Sequence, residues 1–122
     1  MKRIAILGST GSIGRSTLNV VESYPDRFQI STLAAGSNVE AALEQASRWK
    51  PRVLSLADER DAEVARAKLG GLGLNEIEVV HGTAGTIRVA THSDVDFVVS
   101  AIVGVAGLEA TYEAVKAGKI LG

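Results

Sequence analysis

A chain of 122 residues, 46% hydrophobic and 22% charged, has the size and composition of one globular domain with a single core. A net charge of −1 and an aromatic share of 4% exclude the basic face and stacking platform of a nucleic-acid binder. No cysteine is present, which excludes disulfides, thiolate catalysis and cysteine-based metal centres.

Arg3 to Leu7 reads as a strand buried on both faces, a continuous apolar run ending at glycine. The run stops at Gly8, far short of a signal peptide or membrane span, so a cytoplasmic location without membrane attachment is expected. From Ile13 to Tyr24 a helix is predicted, with Ile13, Thr17, Val20, Val21 and Tyr24 as its buried face and Pro25 as its stop. Phe28 to Ala35 is a second strand, closed by Gly36. Asn38 can cap a helix that buries Val39, Ala42, Leu43, Ala46 and Trp49, and Pro51 ends it. Arg52 to Ala57 makes a third strand. Asp58 caps a helix to about Leu69, terminated by Gly70, Gly71 and Gly73. A short strand at Ile77 to Val80 precedes a weakly patterned segment, Thr83 to Thr91. Phe97 to Ser100 is another buried strand, and Leu108, Tyr112 and Val115 are expected to face the core from the last helix. Gly118 stands at a C′ position, with Lys116 and Lys119 near the negative end of the dipole. This alternation specifies an α/β, Rossmann-type doubly wound fold, a mostly parallel sheet with helices on both faces.

The stretch Gly8-Ser9-Thr10-Gly11-Ser12-Ile13-Gly14 lies between the first strand and the first helix. A pyrophosphate bound there needs a sharp turn, close backbone approach and tight helix–sheet packing, which Gly8, Gly11 and Gly14 can supply in turn. Helix N–H groups then point at the anion, and the hydroxyls of Thr10 and Ser12 are expected to add donors. The same glycines could serve as a plain turn, but the strand–loop–helix setting favours a ligand loop. No Gly-Lys-Ser/Thr follows, which sets a mononucleotide P-loop aside. After the second strand stands Ala34-Ala35-Gly36-Ser37-Asn38, without the carboxylate that would bind an NAD ribose. Ser37 and Asn38 can donate to a 2′-phosphate, so NADPH is the expected cofactor, although the same residues suit a simple loop and helix cap. Ser100 to Gly107 leaves the end of another strand and is equally readable as a nicotinamide contact or a helix lead-in. His81 and His92 lack acidic partners at metal-ligand spacing, and Asp94 and Asp96 read as solvated carboxylates. No nucleophile stands with a base.

With Gly8 to Gly14 continuing into Ser16-Thr17-Leu18, the chain resembles the 1-deoxy-D-xylulose 5-phosphate reductoisomerase family. Ala35 to Val39, Asp94-Val95-Asp96, Ser100 to Gly104, Ala106 to Leu108 and Ala117-Gly118-Lys119 extend the resemblance over essentially the whole chain. By that resemblance Thr10, Gly11, Ser12 and Ile13 would hold the NADPH pyrophosphate, and Gly36, Ser37 and Asn38 the adenosine ribose and 2′-phosphate. Ala101 and Ile102 would lie near the nicotinamide. Some members carry a basic residue where Ser37 stands.

The resemblance implies a parent enzyme, homodimeric and dependent on Mg²⁺ or Mn²⁺, that isomerises and reduces a small phosphorylated sugar in non-mevalonate isoprenoid biosynthesis. The family's Asn-Lys-Glu segment, acidic metal ligands and lid are not within these residues. The chain is therefore expected to be a truncated NADPH-binding domain spanning 1–122, binding cofactor without catalysis. Ile120 and Leu121 read as the start of a further strand, whose open edge is expected to favour self-association. Two alternatives are the cofactor domain of another two-domain dehydrogenase and a free-standing nucleotide-sensing module.

Overall fold

Strands of two to nine residues form the sheet, and small-residue helices close over them. The computed structural model describes residues 1–102 and 105–122. In chain order the elements are β1 (Lys2–Leu7), α1 (Ser12–Ser23), β2 (Phe28–Gly36), α2 (Val39–Trp49), β3 (Val53–Leu56) and α3 (Glu59–Gly71). They continue with β4 (Glu78–His81), α4 (Gly82–Thr91), β5 (Phe97–Ser100), α5 (Val105–Lys116) and β6 (Ile120–Leu121). The strands pair in parallel as one six-stranded sheet in the order β4-β3-β2-β1-β5-β6. The α/β doubly wound expectation is met.

Because side chains alternate along a strand, β1 sends Ile4 and Ile6 to one face and Ala5 and Leu7 to the other. The first face is covered by α1, α2 and α3 through Leu18, Val21, Ala42, Ala46, Ala62, Ala65 and Leu69. The second is covered by α4 and α5 through Val89, Ala90, Ala110 and Ala114. Both faces are covered by apolar side chains, as the continuous apolar runs require. The β6 strand lies at the sheet edge, where Ile120 and Leu121 are exposed.

Two helices turn a different face inward from the one their large residues suggest. On α1 the buried residues are Gly14, Leu18 and Val21, while Ile13, Val20 and Tyr24 are 61%, 53% and 51% exposed. A Cβ on Gly14 would stand 2.7 Å from the Cα of Ser9, so the helix can seat on the loop only with that glycine inward. On α5 the inward residues are Gly107, Ala110 and Ala114, and Leu108, Tyr112 and Val115 point outward. Gly107 fixes this rotation, since its Cβ would meet the carbonyl oxygen of Ile102 at 2.6 Å. The segment Thr83 to Thr91 proves helical. Its buried positions are Gly85, Val89 and Ala90, and a glycine pressed against Val80 and Ser55 leaves the period without an apolar mark. By contrast α2 buries the face expected of it, and Asn38 and Asp58 cap their helices through Ala41 and Asp61.

Candidate functional site

The strand order reverses between β1 and β5, and the loops that leave β1, β2 and β5 meet there at the carboxyl edge of the sheet. Such a crevice is where ligands lie in open α/β sheets. Hydrogen bonds lace the three loops together. Gly8 and Ser9 donate their N–H groups to the Ala34 carbonyl at 2.8 and 3.0 Å, and Ala101 donates to the Leu7 carbonyl at 2.8 Å. Gly8 turns off β1 with φ of +86°, and a Cβ there would stand 3.0 Å from the Ala101 carbonyl oxygen. The candidate residues on the first and third loops are thus in contact.

At the start of α1, Gly11 occupies the N-cap position and no side chain caps the helix. The first N–H with a backbone acceptor there is that of Arg15, which donates to the Gly11 carbonyl at 2.9 Å. The N–H groups of Ser12, Ile13 and Gly14 have no backbone acceptor among the described residues and stand at the positive end of the helix dipole. Beneath them Ser9 is fully buried and its hydroxyl has no partner among the described residues. Ser12 and Ile13 stand exposed at the mouth of the loop.

The Thr10 hydroxyl is not a spare donor as expected. It gives its proton to the Ala35 carbonyl at 2.7 Å and so clamps the first loop to the end of β2. Thr10 therefore offers a ligand its backbone and its oxygen lone pairs. A second clamp, which no spacing in the sequence signals, comes from Gln45 on the inner side of α2. Its amide donates to the Ser9 carbonyl at 2.9 Å. The only sequence cue is a polar residue directly before the buried Ala46.

At the end of β2 and in the loop that follows, Gly36, Ser37 and Asn38 are all exposed. Asn38 is the N-cap of α2, its side-chain oxygen accepting from the Ala41 N–H at 3.1 Å, which leaves its amide NH₂ free to donate. Ala101 and Ile102 are half-buried beside Gly8, on the far side of the crevice from Gly36. Val103 and Gly104, from the same candidate segment, lie outside the described residues.

The titratable groups sit elsewhere. Asp96 and Asp94, expected to be solvated, pair with Arg3 at 3.2 and 3.5 Å at the opposite edge of the sheet, and Asp94 also meets Arg52 at 3.4 Å. The Arg3 side chain and N–H donate to Asp96 and hold its carboxyl below the usual range. Lys119 donates its backbone N–H to the Ala114 carbonyl in the last turn of α5 at 3.0 Å and its ammonium to the Val95 carbonyl at 2.6 Å. His81 is exposed before α4, and His92 accepts from the Asp94 N–H through Nδ1. Among the described residues no group of three or more His, Asp or Glu side chains is arranged to hold a metal ion. No described helix is long and apolar enough to cross a membrane. The arrangement can bind an extended anion along the sheet edge, and among the described residues it assembles no acid–base pair.

Residues 4–122 match the family model of 1-deoxy-D-xylulose 5-phosphate reductoisomerase. The reductoisomerase of Anaeromyxobacter sp. (strain K) is 50% identical over 122 residues, covering 100% of this chain and 30% of that protein. That of Glaesserella parasuis serovar 5 is 47% identical, covering 98% of this chain and 30% of the relative. Among solved structures, a DOX-P reductoisomerase in complex with NADPH, fosmidomycin and magnesium is 36% identical with a TM-score of 0.94. It covers 99% of this chain, which spans 29% of it. The enzyme from Zymomonas mobilis in complex with NADPH aligns with a TM-score of 0.89 at 32% identity, over 99% of this chain and 31% of that one. The chain thus spans less than a third of the length of these relatives. The glycine loop, the strand order and the match across almost every residue together place this chain in the 1-deoxy-D-xylulose 5-phosphate reductoisomerase family.

Proposed function

We propose that residues 1–122 form the NADPH-binding domain of a 1-deoxy-D-xylulose 5-phosphate reductoisomerase and bind the cofactor without completing the reaction. The observation that carries this reading is the uncapped N-terminus of α1 at the point where the strand order reverses. The fold's likeness to a relative described in complex with NADPH supports it.

The residues present fit a dinucleotide. The orphaned Ser9 hydroxyl and the N–H groups of Ser12 to Gly14, which have no backbone acceptor among the described residues, are suited to a phosphate held against backbone. Thr10, Gly11, Ser12 and Ile13 would hold the pyrophosphate, with Gly8 shaping the turn. Gly36, Ser37 and Asn38 would hold the ribose and its 2′-phosphate, and Ala101 and Ile102 would flank the nicotinamide. NADPH supplies a hydride when bound; this chain's part is to fix the cofactor and shield one side of it. Metal binding, and the isomerisation and reduction of 1-deoxy-D-xylulose 5-phosphate to 2-C-methyl-D-erythritol 4-phosphate, would fall to the rest of a full-length enzyme. The same reading includes a cytoplasmic, homodimeric parent.

Calorimetric titration of the 122-residue chain with NADPH tests the proposal, with Gly11→Glu as the comparison. Gly11 has φ of −79° and is exposed, and its Cβ would meet only the Gly8 carbonyl oxygen, at 3.6 Å, so glutamate fits the fold but puts a carboxylate where the phosphate belongs. Saturable binding by the parent chain and none by the variant, at equal circular dichroism, is the expected result. A folded parent chain that does not bind, or a variant that binds equally well, would overturn it.

A further inference from the structure

The corner assigned to the 2′-phosphate is short of positive charge. Ser37 and Asn38 are neutral, and the first turn of α2 carries Glu40. A phosphate at that corner, carrying close to two negative charges, would be repelled by Glu40 and steadied only by neutral donors and the helix dipole.

A cation on the neighbouring helix α1 stands in the groove that leads toward this corner. Arg15, in the first turns of α1, lines a groove of about 320 Å³ between α1 and α2 together with Ala41, Glu44 and Gln45. Ala41 is the residue whose N–H binds the Asn38 cap, and Gln45 holds the Ser9 carbonyl, so the upper end of this groove opens between the two turns. Side chains on a helix lean toward its N-terminus, which for Arg15 is toward the crevice. Arg48, the other guanidinium in the groove, is committed to Glu22. Arg15 is exposed and makes no ion pair among the described residues.

We propose that Arg15 is the residue that selects NADPH over NADH, reaching across the mouth of the α1–α2 groove to the 2′-phosphate held at Gly36 to Asn38. The inference rests on the cofactor reading above and adds to it the source of the missing charge. A guanidinium suits the role because it stays protonated and can give a phosphate two parallel hydrogen bonds.

The test is to titrate the parent chain and Arg15→Met with NADPH and with NADH at low and moderate salt. The expected result is a loss of about tenfold or more in NADPH affinity, with NADH affinity unchanged and the salt dependence of NADPH binding reduced. Arg15→Lys should restore part of the preference, since it keeps the charge but not the fork. If the parent prefers NADPH and Arg15→Met keeps that preference, the assignment of Arg15 fails while the cofactor reading stands. Equal losses for both nucleotides with a lower melting temperature would mean that Arg15 braces the groove against Glu44, and would also overturn it. A parent chain that binds neither nucleotide sinks both proposals.

Discussion

In the turn after β1 a Cβ on Gly14 would run into the Gly8 carbonyl oxygen and the Ser9 backbone, whereas in the turn after β2 a Cβ on Gly36 would meet nothing within 4 Å. The helix that follows the first turn begins without a side-chain cap, and the helix that follows the second is capped by Asn38. The first turn is therefore a packing solution that leaves backbone N–H groups to a ligand. The second is an open corner whose character depends on its side chains. Changes at the packed Gly14 should strike folding, and changes in the second turn should strike selectivity.

The largest expected effect is that of Gly14→Ala. In an ordinary helix this change would stabilise by about 1 kcal/mol. Here the added methyl meets backbone that cannot move aside, and a loss of about 3 kcal/mol or more is expected. Thermal unfolding checks it: a fall in midpoint of more than about 10 °C agrees, and an unchanged midpoint means the helix is seated differently. Gly36→Ala should cost less, about 1–2 kcal/mol, because only its φ of +78° opposes a side chain. If both substitutions cost the same in denaturant titrations, the contrast between the turns is lost.

These differences decide what the sequence reveals. Apart from α4, the order of elements, the glycine loop and the Asn38 and Asp58 caps are legible because each depends on a few neighbouring residues. The inward faces of α1 and α5 are not. Close approach at Gly14 and Gly107 rotates those helices so that alanine, glycine and one or two larger residues face the sheet, and Ile13, Val20, Leu108 and Tyr112 stand outside. Apolar periodicity tracks large side chains, so it misses a face built from small ones. The same limit hides α4, whose contact with the sheet begins at Gly85. Within the candidate site, the Thr10 and Gln45 clamps join residues far apart in the chain, and no local pattern announces them.

Asn38→Ala is expected to cost about 1 kcal/mol through loss of the cap at Ala41. It should also weaken NADPH binding more than NADH binding, a difference that paired titrations would read. Equal weakening for both would place Asn38 in the fold alone.

The smallest effect belongs to the far edge of the sheet, away from both turns. The Arg3 guanidinium and N–H hold the Asp96 carboxyl below its ordinary value, so folding favours its ionised form. That contribution is complete above the ordinary carboxylate range and is lost as pH falls through the depressed value. The pair is exposed and its share of stability is small. Asp96→Asn should flatten the acid limb of a plot of denaturation midpoint against pH, with NADPH affinity at neutral pH unchanged. A steeper acid limb, or weaker NADPH binding, would contradict this placement.

The most direct test of the account is a ¹⁵N-resolved amide titration of the 122-residue chain, first with NADPH and then with NADH. Backbone signals of Ser12, Ile13 and Gly14 are expected to move with both nucleotides, and those of Gly36, Ser37 and Asn38 to separate the two. Saturable shifts confined to other parts of the molecule, or no shifts at all, would contradict the assignment of the two turns to the two ends of the adenosine diphosphate.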